Sequence, residues 1–275
     1  MKRNIVYVSG TRADFGLMKK CLTLIHNHTQ LNLEIIVTGS HLIGQFGATV
    51  TEIENSELPI AAKLEVSLTG SSGAEMAQSI AEQIAGITRY LQHSRPDCLL
   101  LLGDRGEMLA AAIAAVHLNV VIAHIHGGER SGTVDESVRH AISKLAHYHF
   151  VATEESHARL IRMGECENKV FVTGAPGLDD ILDRELLPVN QLLPKFGLSA
   201  DKAFLLVVYH PVVQQAEQAG AQMAEVLNAC IEFGYEVLVL MPNSDSGGKL
   251  IAETVTVFES QHDQIHSAVH IERQE

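Results

Sequence analysis

Residues 4–18 read N-I-V-Y-V-S-G-T-R-A-D-F-G-L-M. An apolar run breaks at Gly10 and gives way to a basic and then an acidic residue, Arg12 and Asp14. A buried strand has no place for charge in its interior, but at its carboxyl end the next helix begins and turns unpaired backbone N–H groups outward. In an open α/β sheet, ligands bind along that edge. The fold and the function therefore depend on whether other segments of the chain repeat this pattern.

They do. Short apolar runs recur at residues 4–9, 33–38, 97–102, 120–125, 149–152, 170–173, 204–209 and 236–241, and most are continuous rather than alternating. That pattern predicts strands buried on both faces, as in a parallel sheet covered by helices. Helical periods lie between them. Met76, Ile80, Ile84, Ile87 and Leu91 make one apolar stripe on a helix ended by Pro96, and Met223, Val226, Cys230 and Phe233 make another, stopped by Gly234. The alternation predicts βαβ units with right-handed crossovers.

Composition shifts at residues 183–200, where Pro188, Pro194 and Gly197 interrupt any strong period. The reading is α/β with two Rossmann-like domains: residues 1–185, a linker at 186–200, and residues 201–275. The second domain reads as incomplete, with two strands and a possible third at 268–271. Residues 66–73, containing T-G-S-S-G, read as a mobile loop.

Lys and Arg number 20 against 33 Asp and Glu, a formal net charge of −13, which argues against a nucleic-acid or anionic-membrane surface. Any anion must be bound by local basic spots. Cys21, Cys98, Cys166 and Cys230 form no C-x-x-C pair, which predicts reduced thiols and no metal site. Only Ile5–Val8 follow Lys2-Arg3 before Ser-Gly-Thr-Arg, too short for a secretion signal, so a cytoplasmic location is expected. Residues 108–128 lack formal charge but contain three histidines and a Gly pair, which fits a helix and then a buried strand better than a membrane span.

The strand ends carry the chemistry. Leu102 runs into Gly103-Asp104-Arg105-Gly106-Glu107, Ile125 into His126-Gly127-Gly128-Glu129, and Asp135, Glu136, Arg139 and His140 follow. Taken singly, each has an ordinary structural explanation, such as a helix cap or a solvated ion pair. Three clusters together with T-R-A-D at equivalent strand ends point to a site. Gly-x-Arg and Gly-Asp-Arg turns suit phosphate, because glycine lets the backbone approach and Arg offers a bidentate fork. In the second domain, H-P-V at 210–212 and P-N-S-D-S-G-G-K at 242–249 place His210 and Asn243 after strands. A lone His after a strand is more often structural, but Pro211 stops the strand and turns the imidazole to its open end.

G-T-R-A-D-F-G, V-T-G-S-H-L, G-D-R, the G-G-E-x-S-G-T-V-D-E-S-V-R-H-A-I-S-K-L-A-H stretch, R-M-G-E, H-P-V and P-N-S-D-S-G-G-K occur in this order along the chain. In these motifs the sequence resembles the hydrolysing UDP-N-acetylglucosamine 2-epimerases of bacterial sialic-acid biosynthesis. The resemblance implies a glycosyltransferase-B-like fold holding a UDP-sugar between two domains, no cofactor and no metal, and a homo-oligomer. It implies loss of the proton at C2 and departure of UDP from C1 to give a glycal. Water then adds with inversion at C2 and N-acetylmannosamine is released. By the same resemblance Asp104, His126, Asp135, Glu136 and His210 are catalytic candidates, and Arg12, Ala13, Arg105, Glu129 and Asn243 bind the nucleotide-sugar.

Two departures stand out. The sialic-acid enzymes usually carry H-I-E-G-G-E, where this chain has H-I-H-G-G-E, so His126 occupies a carboxylate position. A His there could shuttle a proton, or could mark a 2,4-diacetamido-trideoxy sugar of the legionaminic-acid type. Family members also continue into a G-N-S-S-x-G-x-x-E segment that holds diphosphate and ribose, which this sequence does not contain. An inactive nucleotide-sugar-binding protein and a glycosyltransferase are the competing readings.

Overall fold

The apolar runs form strands whose successive side chains enter two different cores. The computed structural model of the chain describes residues 2–44, 47, 49–67, 72–179, 186–243 and 245–271. The chain divides into two compact units, one of residues 1–68 and 77–182, the other of residues 69–76 and 183–275.

In the first unit the order is β1 (Arg3–Ser9), α1 (Arg12–Asn27), β2 (Leu31–Thr38), α2 (Val50–Glu54), β3 (Ile60–Leu64), α3 (Gly73–Ser94), β4 (Cys98–Leu102), α4 (Gly106–His117), β5 (Val121–Ile125), α5 (Val134–Leu145), β6 (Tyr148–Val151), α6 (Glu154–Arg162) and β7 (Val170–Val172). The strands make one sheet in the order β3-β2-β1-β4-β5-β6-β7, and every neighbouring pair is parallel. Val6, Val8, Leu99, Leu101 and Ile122 face one core with α3 and α4, while Tyr7, Ile35, Val37, Leu100 and Ile125 face another with Phe15, Met18 and Leu22 of α1. A strand buried on both faces needs no polar alternation. The stretch at 108–128 is α4 and then β5, and among the described residues no helix is long and apolar enough to cross a membrane.

The second unit holds α7 (Val189–Leu192), β8 (Phe204–Val208), α8 (Ala219–Glu232), β9 (Glu236–Leu240), α9 (Gly248–Gln261) and β10 (Ile265–Ala268), with a parallel sheet ordered β10-β9-β8. α8 and α9 cover one face through Met223, Leu227, Ile251 and Val255. The stretch expected as a linker is partly structured: Leu193 and Leu198 pack on Leu238 from the other face. The third strand lies at Ile265–Ala268 rather than at 268–271. β3 has no counterpart in the sequence reading, because an edge strand half-exposed along its length and carrying Lys63 lacks a continuous apolar run. Of the expected loop at 66–73, residues 68–71 lie outside the described residues, and α3 begins at Gly73.

The charge that opened the question at the end of β1 is internal. Asp14 is buried and accepts five hydrogen bonds. Tyr7 Oη (3.0 Å) and Ser9 Oγ (2.6 Å) donate to Oδ1, and Gly10 N (3.0 Å), Thr11 N (2.6 Å) and Thr11 Oγ1 (3.1 Å) donate to Oδ2. Thr11 caps α1 and Asp14 completes the reciprocal box. Ser9 Oγ also lies 2.9 Å from Nε2 of the buried His41, whose Nδ1 is 2.8 Å from Thr49 Oγ1. The turn is tight enough to require glycine, since a Cβ on Gly10 would sit 2.5 Å from Cγ of Glu107. Gly39, at φ +60°, would bring a Cβ within 2.6 Å of the Gly10 carbonyl.

Asp14→Ala removes the acceptor shared by three hydroxyls and two backbone amides. The unfolding free energy of the protein is expected to fall by about 3 kcal/mol, the scale for several buried groups left unpaired. Urea denaturation checks it, and a loss below about 1 kcal/mol contradicts the stapling role.

Candidate active site

The strand order sets the site. β1 and β4 are neighbours in the sheet, but the chain leaves them in opposite directions, toward β2 from one and β5 from the other. At such a switch point the loops part and leave the carboxyl ends of the strands accessible. The turns after β1, β4 and β5 all open on this edge.

After β4, Gly103 adopts φ +77° and donates its N–H to the Ile125 carbonyl at 2.9 Å, so the turn is tied to β5. Asp104 follows, half-buried, and its Oδ2 pairs with Nη2 of Arg139, a buried residue of α5. Arg139 Nη1 also donates to the Glu129 carbonyl at 3.2 Å, which ties the G-G-E turn to the same guanidinium. Burial pushes the Asp104 carboxyl above its usual range, Arg139 opposes the shift, and the nearby charge of Asp135 adds to it. Arg105 lies next along the chain, with Nε 3.6 Å from Oε2 of the buried Glu107.

After β5, His126 takes a left-handed conformation at φ +62°, with Nδ1 3.5 Å from Oε1 of Glu129. Its Nε2 is buried and has no hydrogen-bond partner among the described residues. Gly128, at φ +79°, packs so closely that a Cβ would come within 2.5 Å of the Ser156 carbonyl, and Arg159 Nη1 donates to the Gly128 carbonyl. Thr133 then caps α5, accepting from Asp135 N at 3.3 Å and donating its hydroxyl to Asp135 Oδ2 at 2.9 Å.

The sequence-predicted residues divide by geometry. Asp104, Arg105, His126, Glu129 and Asp135 gather at the β4 and β5 ends. Glu136, expected among the catalytic groups, is engaged by its own loop: Ser131 N (2.9 Å) and Gly132 N (3.0 Å) donate to its Oε2, and these bonds hold its carboxyl below the usual range. Arg12 opens α1 and pairs through Nε with Glu52 at 3.2 Å, and Ala13 beside it is exposed. In the second unit His210 is exposed after β8, Asn243 N lies 3.5 Å from its Nδ1, and Asn243 forms a local turn with Asp245. Sequence reasoning gave no role to Arg139, Glu107 or His124, all buried at this edge. Arg139 stood out there only as one charge among several, because nothing local says that the helix turns it inward. Among the described residues no three His, Cys, Asp or Glu gather to hold a metal.

Residues 23–274 match the UDP-N-acetylglucosamine 2-epimerase family. The chain is 46% identical over 275 residues to the UDP-N,N'-diacetylbacillosamine 2-epimerase (hydrolyzing) of Legionella pneumophila, covering all of this chain and 73% of that relative. It is 34% identical over 262 residues to the UDP-N-acetylglucosamine 2-epimerase of Neisseria meningitidis serogroup B, covering 94% of this chain and 68% of that relative. Among solved structures, the Methanocaldococcus jannaschii UDP-GlcNAc 2-epimerase in complex with UDP-GlcNAc and UDP superposes with a TM-score of 0.79 at 18% identity, over 99% of this chain and 75% of that one. The Neisseria meningitidis enzyme bound to UDP-GlcNAc superposes with a TM-score of 0.76 at 19% identity, over 98% and 73%. These likenesses establish the glycosyltransferase-B-like α/β fold.

The pairing of Asp104 with Arg139 carries a testable sign. Arg139 lowers the Asp104 pKa against the effect of burial, so Arg139→Met is expected to raise it further. Carbon-13 titration of the Asp104 carboxyl reads this directly, and a fall toward the ordinary carboxylate value contradicts the pairing.

Proposed function

The chain belongs to the UDP-N-acetylglucosamine 2-epimerase family, and on that premise we propose that it is a hydrolysing 2-epimerase of a UDP-2-acetamido sugar. With UDP-N-acetylglucosamine the products are N-acetylmannosamine and UDP. The observation that carries this reading is the half-buried Asp104 at the end of β4, its carboxyl raised by burial and its position held by Arg139. A base whose pKa is drawn toward neutrality is what abstraction of a weakly acidic sugar C–H requires.

In the proposed reaction a carboxylate takes the C2 proton, the C1–O bond breaks, and UDP departs with the bonding electrons. The glycal then accepts hydroxyl from water at C1 and a proton at C2 on the opposite face. Two proton-transfer groups on opposite sides of the ring are needed, and Asp104, Asp135 and His126 are the candidates. His126 suits the role through its Nε2, which has no hydrogen-bond partner among the described residues. Arg105 and Arg12 are assigned to the diphosphate, since a guanidinium fork matches phosphate oxygens, and Ala13 and Glu129 to the nucleotide-sugar. By their family motifs His210 is a further catalytic candidate and Asn243 is assigned to nucleotide-sugar binding. Arginines and helix N-termini can stabilise the departing UDP without a metal.

A second reading of the substrate rests on specific observations. The relative at 46% identity is named for UDP-N,N'-diacetylbacillosamine, and His126 stands where the sialic-acid enzymes usually carry Glu. On this reading the sugar is a UDP-2,4-diacetamido-2,4,6-trideoxyhexose and the chemistry at C1 and C2 is the same.

Proton NMR of both UDP-sugars with the protein in deuterated water tests the function and separates the substrates. UDP release with deuterium at C2 of the freed sugar is expected, for whichever sugar is the substrate. Sugar released with its original C2 hydrogen contradicts the elimination, and tight binding without turnover of either supports a binding protein instead.

A further inference from the structure

His124 lies on β5 with its side chain fully buried, and both ring nitrogens have partners. Nε2 is 2.7 Å from the Gly103 carbonyl oxygen, and Nδ1 is 3.1 Å from the Ser143 hydroxyl. A carbonyl oxygen can only accept, so Nε2 carries the hydrogen. Burial pushes the His124 pKa down to about 3, which leaves the ring neutral and Nδ1 an acceptor for the Ser143 hydroxyl. The single hydrogen of that hydroxyl is shared with the Arg139 carbonyl one helical turn earlier, which accepts it at 3.0 Å. Nothing larger than glycine fits beside the pair, since a Cβ on Gly127 would lie 2.9 Å from Ser143 Oγ and 3.1 Å from His124 Nδ1.

The network ends on both members of the Asp104–Arg139 pair. Gly103 is held at its N–H by the Ile125 carbonyl and at its carbonyl by His124, so the two peptide planes that flank it, the second of which leads into Asp104, are each tied to β5. Ser143 anchors the same imidazole to α5, the helix that carries Arg139. The nitrogen bonded to Gly103 has no room to serve a substrate as well. We propose that His124 is a positioning residue, which acts by donating from Nε2 to the Gly103 carbonyl and so fixes the Asp104 carboxylate against Arg139. This rests on the reading in which Asp104 acts on the sugar.

A buried histidine could instead contribute only to packing, and a double-mutant cycle separates the two. His124→Phe keeps the ring's size without the donor, His124→Gln can still offer an N–H, and Asp104→Asn removes the base. Turnover of the full chain is expected to fall about tenfold or more in His124→Phe, with UDP affinity by calorimetry within about threefold, and to recover largely in His124→Gln. The double variant His124→Phe, Asp104→Asn is expected to be no slower than Asp104→Asn alone, because the histidine acts through that carboxylate. Losses that multiply, or unchanged turnover in His124→Phe, overturn the proposal. If His124→Phe does not fold, Ser143→Ala replaces it in the same cycle under the same criterion.

Normal turnover in Asp104→Asn removes the functional reading itself, and is thereby distinguished from failure of the positioning role alone. Nitrogen-15 histidine NMR of the unsubstituted protein decides the tautomer without any turnover. A neutral Nε2–H ring is expected for the signal missing in His124→Gln, and a ring protonated at Nδ1 overturns the proposal.

Discussion

The reversal of strand order between β1 and β4 is the constraint on which the rest of the structure depends. Crossovers leaving these neighbours in opposite directions separate the loops that follow them. The chain must then fill that edge with turns, and glycine makes the turns tight where strand ends approach α4. Glu107, at the start of α4, lies so close to Gly10 and Gly39 that neither position can carry a side chain. Packing at the switch point thus brings three strand ends together and holds charged groups among them.

Two aspartates at these strand ends have opposite fates, and their partners explain why. Asp14 accepts bonds from hydroxyls and amides of its own turn, so its charge is balanced locally and it holds the entry to α1. Asp104 depends on one buried guanidinium from a helix further along the chain. Desolvation prevails there, and its carboxyl is raised. A carboxylate saturated with hydrogen bonds stabilises a fold, whereas one that is half-buried and balanced chiefly by an ion pair can exchange a proton with a ligand. Glu136 belongs with Asp14 in this respect, since backbone amides of its own loop hold it.

Much of this was legible in the sequence. Continuous apolar runs announced the parallel sheet because each strand feeds two cores, and charge clusters after Leu102 and Ile125 located the edge. What escaped follows from physics that local sequence does not carry. β3 has an exposed edge and so no apolar run, and β10 carries His266 and Ser267 within a strand of four residues. Asp14 could not be separated from Asp104 by residue type, because the difference lies in how many donors surround each. His124 stood in plain view inside H-I-H-G-G-E, yet its bond to Gly103 joins residues 21 positions apart.

On the proposed function, the carboxyl edge at the β1, β4 and β5 ends receives the nucleotide-sugar. Hydrogen–deuterium exchange of the protein with and without saturating UDP tests it most directly, because bound phosphate and ordered turns slow the exchange of nearby amides. Slower exchange in residues 103–107 and 126–139 is expected when UDP is present. Exchange unchanged in both segments, with UDP demonstrably bound, would contradict it.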